Sequence, residues 1–556
     1  MIEGSGDNVR SNIKSGHISA VCTSISKSFH AKHVTFKDVT LRLSNVHEFI
    51  VPTLRELAGL HEKYDGKVMD LSDDSVLSML ENIGTGKDPD MNGIERSHLQ
   101  IYEQGIRFEY EELQVHKTNP FVHLDNLDVS CYDRDYESAA YRFEMKVKHL
   151  EAWRDAVDRA ITTLTDVSAP MALAAIRTLD NMENGVLAEE LPQLTKDNAA
   201  LALQRLRKHL ETFSNDSSNT RSAALGREHL ERYLGVFDGA NFDVKETEAW
   251  AKQEVDRLHN LLREGIAKTQ RLLKNPTLEL NDLLDDYPSM DEVYNEASKT
   301  ISKARIFVEG KDILPPLGGS CIVGPAPPSR RWAMAMMSWN APYERPAPAM
   351  YYITPPKESY SPSEVNEWMR VFSQTTLPAI TVHEVIPGHF AHGQMLRTQN
   401  SDIARTLFSN SFVEGWAHYA EELMYEEGFM EEDPRFQVGV ALEALVRVAR
   451  VLSTIAQHAN GRSVKYAATL FEEIAFLRGP AAYLEAERAL FDPTYARYSL
   501  GKKEILKARD YAKSTLGTRF NLGKFHQALL HYGSPPLGLL TKITEEYTQS
   551  ELFERP

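Results

Sequence analysis

Along much of the chain, apolar residues recur three and four positions apart among charged ones, and this spacing restricts the fold to packed amphipathic helices. It runs through residues 137–163, 197–213, 223–237, 244–274 and 291–303. In the first of these, Tyr141, Phe143, Val147, Leu150, Trp153, Val157 and Ile161 form the stripe expected to face neighbouring helices. No fixed motif repeats and the helices are uneven in length, which argues against a solenoid. Residues 314–356 break the pattern: they are rich in proline and glycine, which favour loops and short edge strands, with MYYIT the best strand candidate. Helical patterning returns after Ser361, interrupted by a turn at 533–536.

The expected architecture is therefore mainly α, with a small β element beside the active-site cleft. Residues 1–130 show no clear organisation, 131–313 are helical and 314–556 carry the chemistry, with 131–556 expected as one continuous catalytic fold. A chain of 556 residues admits about three or four domain-sized units or one large helical enzyme. With 42% hydrophobic and 25% charged residues it can bury a sizeable core.

A formal net charge of −17 removes the attraction to phosphate backbones and anionic lipid, so neither nucleic acid nor membrane is an expected partner. Cys22, Cys131 and Cys321 are too few and too scattered for a disulfide framework or a cysteine metal knuckle, which fits a reducing compartment. The opening residues lack a signal-peptide apolar run and no stretch of about 18 apolar residues occurs, so a soluble cytoplasmic protein is expected. No partner protein or oligomeric state is indicated.

The chemistry concentrates in TVHEVIPGH, residues 381–389, where His383 and Glu384 precede a second histidine, His389. In an HExxH helix the two histidines lie four apart, offset by about 40°, so both imidazoles reach one zinc while the glutamate activates its water. Six apart, they diverge by roughly 120° in an undistorted helix. Pro387 cannot donate a backbone hydrogen bond and Gly388 tolerates unusual backbone angles, so a bulge or break there is expected to bring His389 round. His392 is the substitute ligand if it does not.

A catalytic zinc with one open position needs a third ligand. The helical run SFVEGWAHYAEELM supplies Glu414, with His418 and Glu421 near the same face. Glu414 is assigned as ligand. Glu421 is the candidate for accepting the other ring N–H of a ligand histidine, and His418 is a pocket or packing residue beside it.

These two motifs resemble those of the bacterial family known as domain of unknown function 885, metallopeptidases of the gluzincin kind. Its HExxPGH pattern is met by His383, Glu384, Pro387, Gly388 and His389. Its EGWAxYAE pattern is met by Glu414, Gly415, Trp416, Ala417, Tyr419, Ala420 and Glu421. The stretches from Asp492 and from Lys524 resemble its C-terminal segments. The resemblance implies one zinc per chain on His383, His389 and Glu414, with Glu384 as general base, in a mostly helical fold.

The reaction expected is zinc-dependent hydrolysis of a peptide or small amide by Glu384-assisted attack of water. Tyr498 and His526, in the family-like C-terminal stretches, are the candidates for an oxyanion donor. Arg509, or Lys502 or Lys503, is a candidate for binding a substrate carboxylate. Tyr351 and Tyr352 are expected to line the cleft, with their strand pairing to an extended peptide. Two other readings use the same residues: a zinc amidase or esterase for a nonpeptide substrate, and a noncatalytic helical binding protein with a vestigial metal site.

Overall fold

A computed structural model describes residues 41–549 except Pro89, Asp90 and Trp332. Cys22 and the opening segment lie outside the described residues. Cys131 is buried and Cys321 half-buried, and both are free thiols. No described helix is long and apolar enough to cross a membrane.

The fold is mainly α with one small sheet. After short helices, among them Gly93–Arg107, come α1 (Ala139–Thr163), α2 (Ala169–Ala188) and α3 (Gln193–Ser214). The Ser138 side chain caps α1 by accepting from the Tyr141 amide. Leu150, Trp153 and Val157 of α1 pack with Ala172, Leu179, Leu203 and Leu206, and with Phe121, Leu124 and Leu127 from before α1. Of the stripe read from the sequence, Tyr141 and Ile161 also pack on this core, whereas Val147 is half-buried outside it and Phe143 is 46% exposed. Lys146 turns inward instead, because its ammonium pairs with Asp133 at 3.0 Å and with Glu189.

The long helices α4 (Val244–Leu273) and α5 (Met290–Gly310) follow, with shorter ones at Arg227–Val236 and Leu280–Asp285. The proline- and glycine-rich stretch then forms β1 (Cys321–Pro325), β2 (Ala335–Ser338) and β3 (Ala349–Ile353). Strand β3 is central, parallel to β1 and antiparallel to β2. This corrects the expectation that the MYYIT strand offers a free edge to a peptide, since its backbone is already paired on both sides. Alternation along β3 also separates the two tyrosines. Tyr351 enters the main core, whereas Tyr352 packs with Ala326 and Met336 on the opposite face, 6.0 Å from the Arg330 guanidinium.

The main core gathers Val293 and Val308 of α5 with six helices of the C-terminal part of the chain. These are α6 (Leu377–Glu384), α7 (His389–Arg397), α8 (Asn410–Glu426), α9 (Arg435–Thr454), α10 (Arg497–Leu516) and α11 (Leu522–Leu530). Val382, Phe390, Phe412, Trp416 and Phe525 fill it. Helices α8 and α10 meet at glycines: a Cβ on Gly501 would stand 1.9 Å from the Ser411 carbonyl oxygen, and one on Gly415 would stand 2.5 Å from Gly501. Only bare backbone permits so close an approach, and it fixes α8 one residue from Glu414.

Gly501→Ala is expected to destabilise the fold by about 1–3 kcal/mol or more, because a backbone carbonyl must move. Gly185→Ala, in α2 with nothing within 4 Å of its would-be Cβ, should stabilise by about 0.5–1 kcal/mol. Chemical denaturation of both variants checks the contrast, and equal effects would contradict the close packing.

Candidate metal centre

Helix α6 ends at Glu384 because the chain ahead cannot continue it. The last amide bonds are Val385 to Thr381 at 2.9 Å and Gly388 to Val382 at 3.2 Å, with Pro387 between them, following a cis peptide. A new helix, α7, starts at His389, and the His392 amide bonds to the Gly388 carbonyl. The expected distortion is thus a full break between two helices. A Cβ at Gly388 would lie 1.8 Å from the His383 carbonyl oxygen, so glycine alone fits the turn. The Trp416 indole N–H, donated from α8 to the Pro387 carbonyl at 2.9 Å, pins the turn to the glutamate helix.

Through this break the His383 and His389 rings come to 4.8 Å between centroids, nearly perpendicular at 85°. Glu414 Oε2 lies 3.7 Å from His383 Nε2 and 3.3 Å from His389 Nε2. The three ligand atoms all fall within 4.8 Å of one another. Around a tetrahedral zinc with bonds of about 2.0–2.1 Å, donor atoms stand roughly 3.3 Å apart, so these residues fit such an ion. Glu414 Oε2 is buried and accepts no hydrogen bond, leaving a lone pair aimed at the space between the imidazoles. His392 is not needed as a ligand: its Nε2 bonds to the Gly533 carbonyl at 3.0 Å.

The surroundings orient these groups. His383 Nδ1 donates to Glu421 Oε1 at 2.6 Å, which leaves Nε2 to face the other two ligands. The other Glu421 oxygen lies 3.5 Å from His418 Nδ1. Burial and the Arg447 guanidinium act to lower the His383 pKa, but the nearby Glu414 and Glu421 carboxylates prevail and hold it at about 9. Burial would raise the Glu414 pKa, yet the two imidazoles hold it well below the usual carboxylate range. Each shift expresses the attraction between the Glu414 carboxylate and the two imidazoles that face it.

Glu384 is nine-tenths buried, and burial raises its pKa against the pull of His389 and His383. The Tyr498 ring, in the first turn of α10, stacks on His383 at 6.3 Å. Burial, then Glu414, pushes its hydroxyl up to about 12, so it stays protonated and able to donate. Buried Tyr351 feels the Glu384 charge and so borders the base.

Other expected residues are engaged elsewhere. His526 uses both ring nitrogens, one on the Ile313 carbonyl at 2.8 Å and one on the Tyr419 hydroxyl at 2.9 Å, so it is a core residue. Arg509 bonds to Glu426 at 2.7 Å, Lys502 pairs with Glu422, and the Lys503 ammonium lies over Trp250. Tyr352 points to the far side of the sheet from Tyr351. Conversely, the sequence reading missed Arg447 of α9, 5% exposed, which forms an ion pair with Glu421 Oε1 at 3.1 Å. Its one signal is a charged pair, Glu443 and Arg447, inside the otherwise apolar run ALEALVRVA.

A mainly helical fold that breaks one buried helix to bring two imidazoles and a carboxylate together defines a candidate metal-binding protein. The chain belongs to the family described as bacterial protein of unknown function DUF885, which matches residues 133–543. It is similar in fold to a candidate lipoprotein of unknown function from Shewanella oneidensis, with a TM-score of 0.69 and 17% identity over 91% of this chain and 98% of the other. A candidate lipoprotein from Colwellia psychrerythraea is similar too, with a TM-score of 0.68 and 16% identity over 92% and 100% of the two chains. No curated protein matches the sequence.

Purified protein is expected to carry close to one zinc per chain by elemental mass spectrometry, falling sharply when His383, His389 or Glu414 is replaced by Ala. Unchanged metal content in all three variants would contradict the ligand assignment.

Proposed function

We propose that this chain is a zinc-dependent hydrolase that cleaves peptide bonds. The observation that carries the reading is the convergence of His383, His389 and Glu414 with a buried, uncommitted Glu384 carboxylate immediately beside the first ligand. Glu384 accepts no hydrogen bond from the described residues, unlike Glu421, so its oxygens remain available to a substrate or a water.

A zinc ion held by the three ligands supplies a Lewis acid that polarises a carbonyl and acidifies water. The chain's own residues do the rest. A Glu384 oxygen takes the proton from the attacking water and returns it to the leaving amine, a task suited to a carboxylate whose pKa burial has raised. The Tyr498 hydroxyl, held beside His383 under the Arg450 guanidinium 4.5 Å from its ring, donates to the oxyanion as it forms. Glu421 keeps His383 in one tautomer throughout.

The unpaired thiols Cys131 and Cys321 support a reducing, cytoplasmic setting. Recovery of the native protein in the membrane fraction would overturn that assignment.

Digestion of a peptide library read by mass spectrometry tests the reaction. Glu384→Gln should keep its zinc and lose hydrolysis, and full turnover in that variant would remove Glu384 as base. Tyr498→Phe should lower kcat by about 10²–10³-fold with little change in KM. An unaltered kcat would exclude it as the oxyanion donor.

A further inference from the structure

We propose that Arg447 is a positioning residue that sets metal affinity by fixing Glu421, the carboxylate that holds the His383 ring. The inference rests on the metal-centre reading and extends it one layer outward, into a helix that bears neither family motif.

Arg447 reaches the site from α9, while Glu421 lies on α8 and His383 on α6. One end of its guanidinium is anchored on its own helix, where Nη1 donates to the Glu443 carbonyl at 2.8 Å and to Glu443 Oε2 at 2.6 Å. The other end, Nη2, forms an ion pair with Glu421 Oε1 at 3.1 Å. That oxygen also accepts the His383 Nδ1–H at 2.6 Å. Nη2 also lies 3.3 Å from His383 Nδ1; with the Nδ1–H given to Glu421, both nitrogens face the Glu421 carboxylate, one by hydrogen bond and one by charge. The guanidinium is a rigid fork, so anchoring one end aims the other.

Glu421 depends on this aim. Its side chain is fully buried, and its second oxygen accepts no hydrogen bond. Without Arg447 the carboxylate loses its buried counter-charge and is free to turn toward His418 Nδ1, already 3.5 Å from the second oxygen. The His383 ring would then lose the hydrogen bond that points Nε2 at Glu414. A residue that merely filled space here would not need a fork anchored at both ends.

The test uses the full chain and measures zinc affinity by competition with a chromophoric chelator, together with the absorption bands of the cobalt(II)-loaded protein. Arg447→Met should weaken zinc binding by about 10–100-fold and shift the cobalt bands while circular dichroism is unchanged. Arg447→Lys keeps the buried charge and so protects the fold if the first variant does not fold. Its ammonium cannot reach both carboxylates in fixed directions, and an intermediate, several-fold loss of affinity is expected. A zinc affinity within twofold of the native protein in folded Arg447→Met, or in Arg447→Lys if only that variant folds, would overturn the proposal. Native protein that binds no zinc would instead overturn the metal-centre reading, and this inference with it.

Discussion

The site depends on a steric fact at Gly388. The chain must leave α6 after Glu384 and start α7 within a few residues, and in doing so it passes so close to the His383 carbonyl that no side chain fits. Pro387 ends the hydrogen-bond ladder and Trp416 clamps the turn from the glutamate helix. One short segment thereby achieves what an unbroken helix with this spacing cannot, which is to set two imidazoles at right angles over a common point.

Around that turn the protein buries His383, Glu384, His389, Glu421 and Arg447, and the arrangement is layered. The three candidate ligand atoms are held close, Glu421 and Arg447 form the layer behind His383, and apolar side chains of α6, α7 and α8 enclose both. Buried ionic groups of this kind are stabilising only when each has its partner, so the layers are mutually dependent. The glycine contact between α8 and α10 adds a rigid support directly beside Glu414 and brings Tyr498 over the His383 ring.

Much of this was legible in the sequence, and the gaps have physical reasons. Helices α1, α3 and α4 were readable because their apolar spacing follows the helical period, whereas α2, rich in alanine and with a weak stripe, was not seen. The central strand was visible as MYYIT. Its two neighbours were not, and strand order, which decides that β3 has no free edge, is a non-local property that no short window contains. The break at Pro387 and Gly388 was predictable because both residues act on the local backbone. His526 was misread because a motif-like context does not reveal that both its nitrogens are bonded within the core. Arg447 left almost no trace, since its role appears only when three separate helices meet.

The central claim is that His383, His389 and Glu414 share one metal ion, and anomalous X-ray diffraction at the zinc edge from crystals of the purified protein tests it most directly. The account predicts a single strong peak about 2.0–2.2 Å from His383 Nε2, His389 Nε2 and a Glu414 oxygen. A zinc peak elsewhere, or no peak at this position from zinc-loaded crystals, would contradict it.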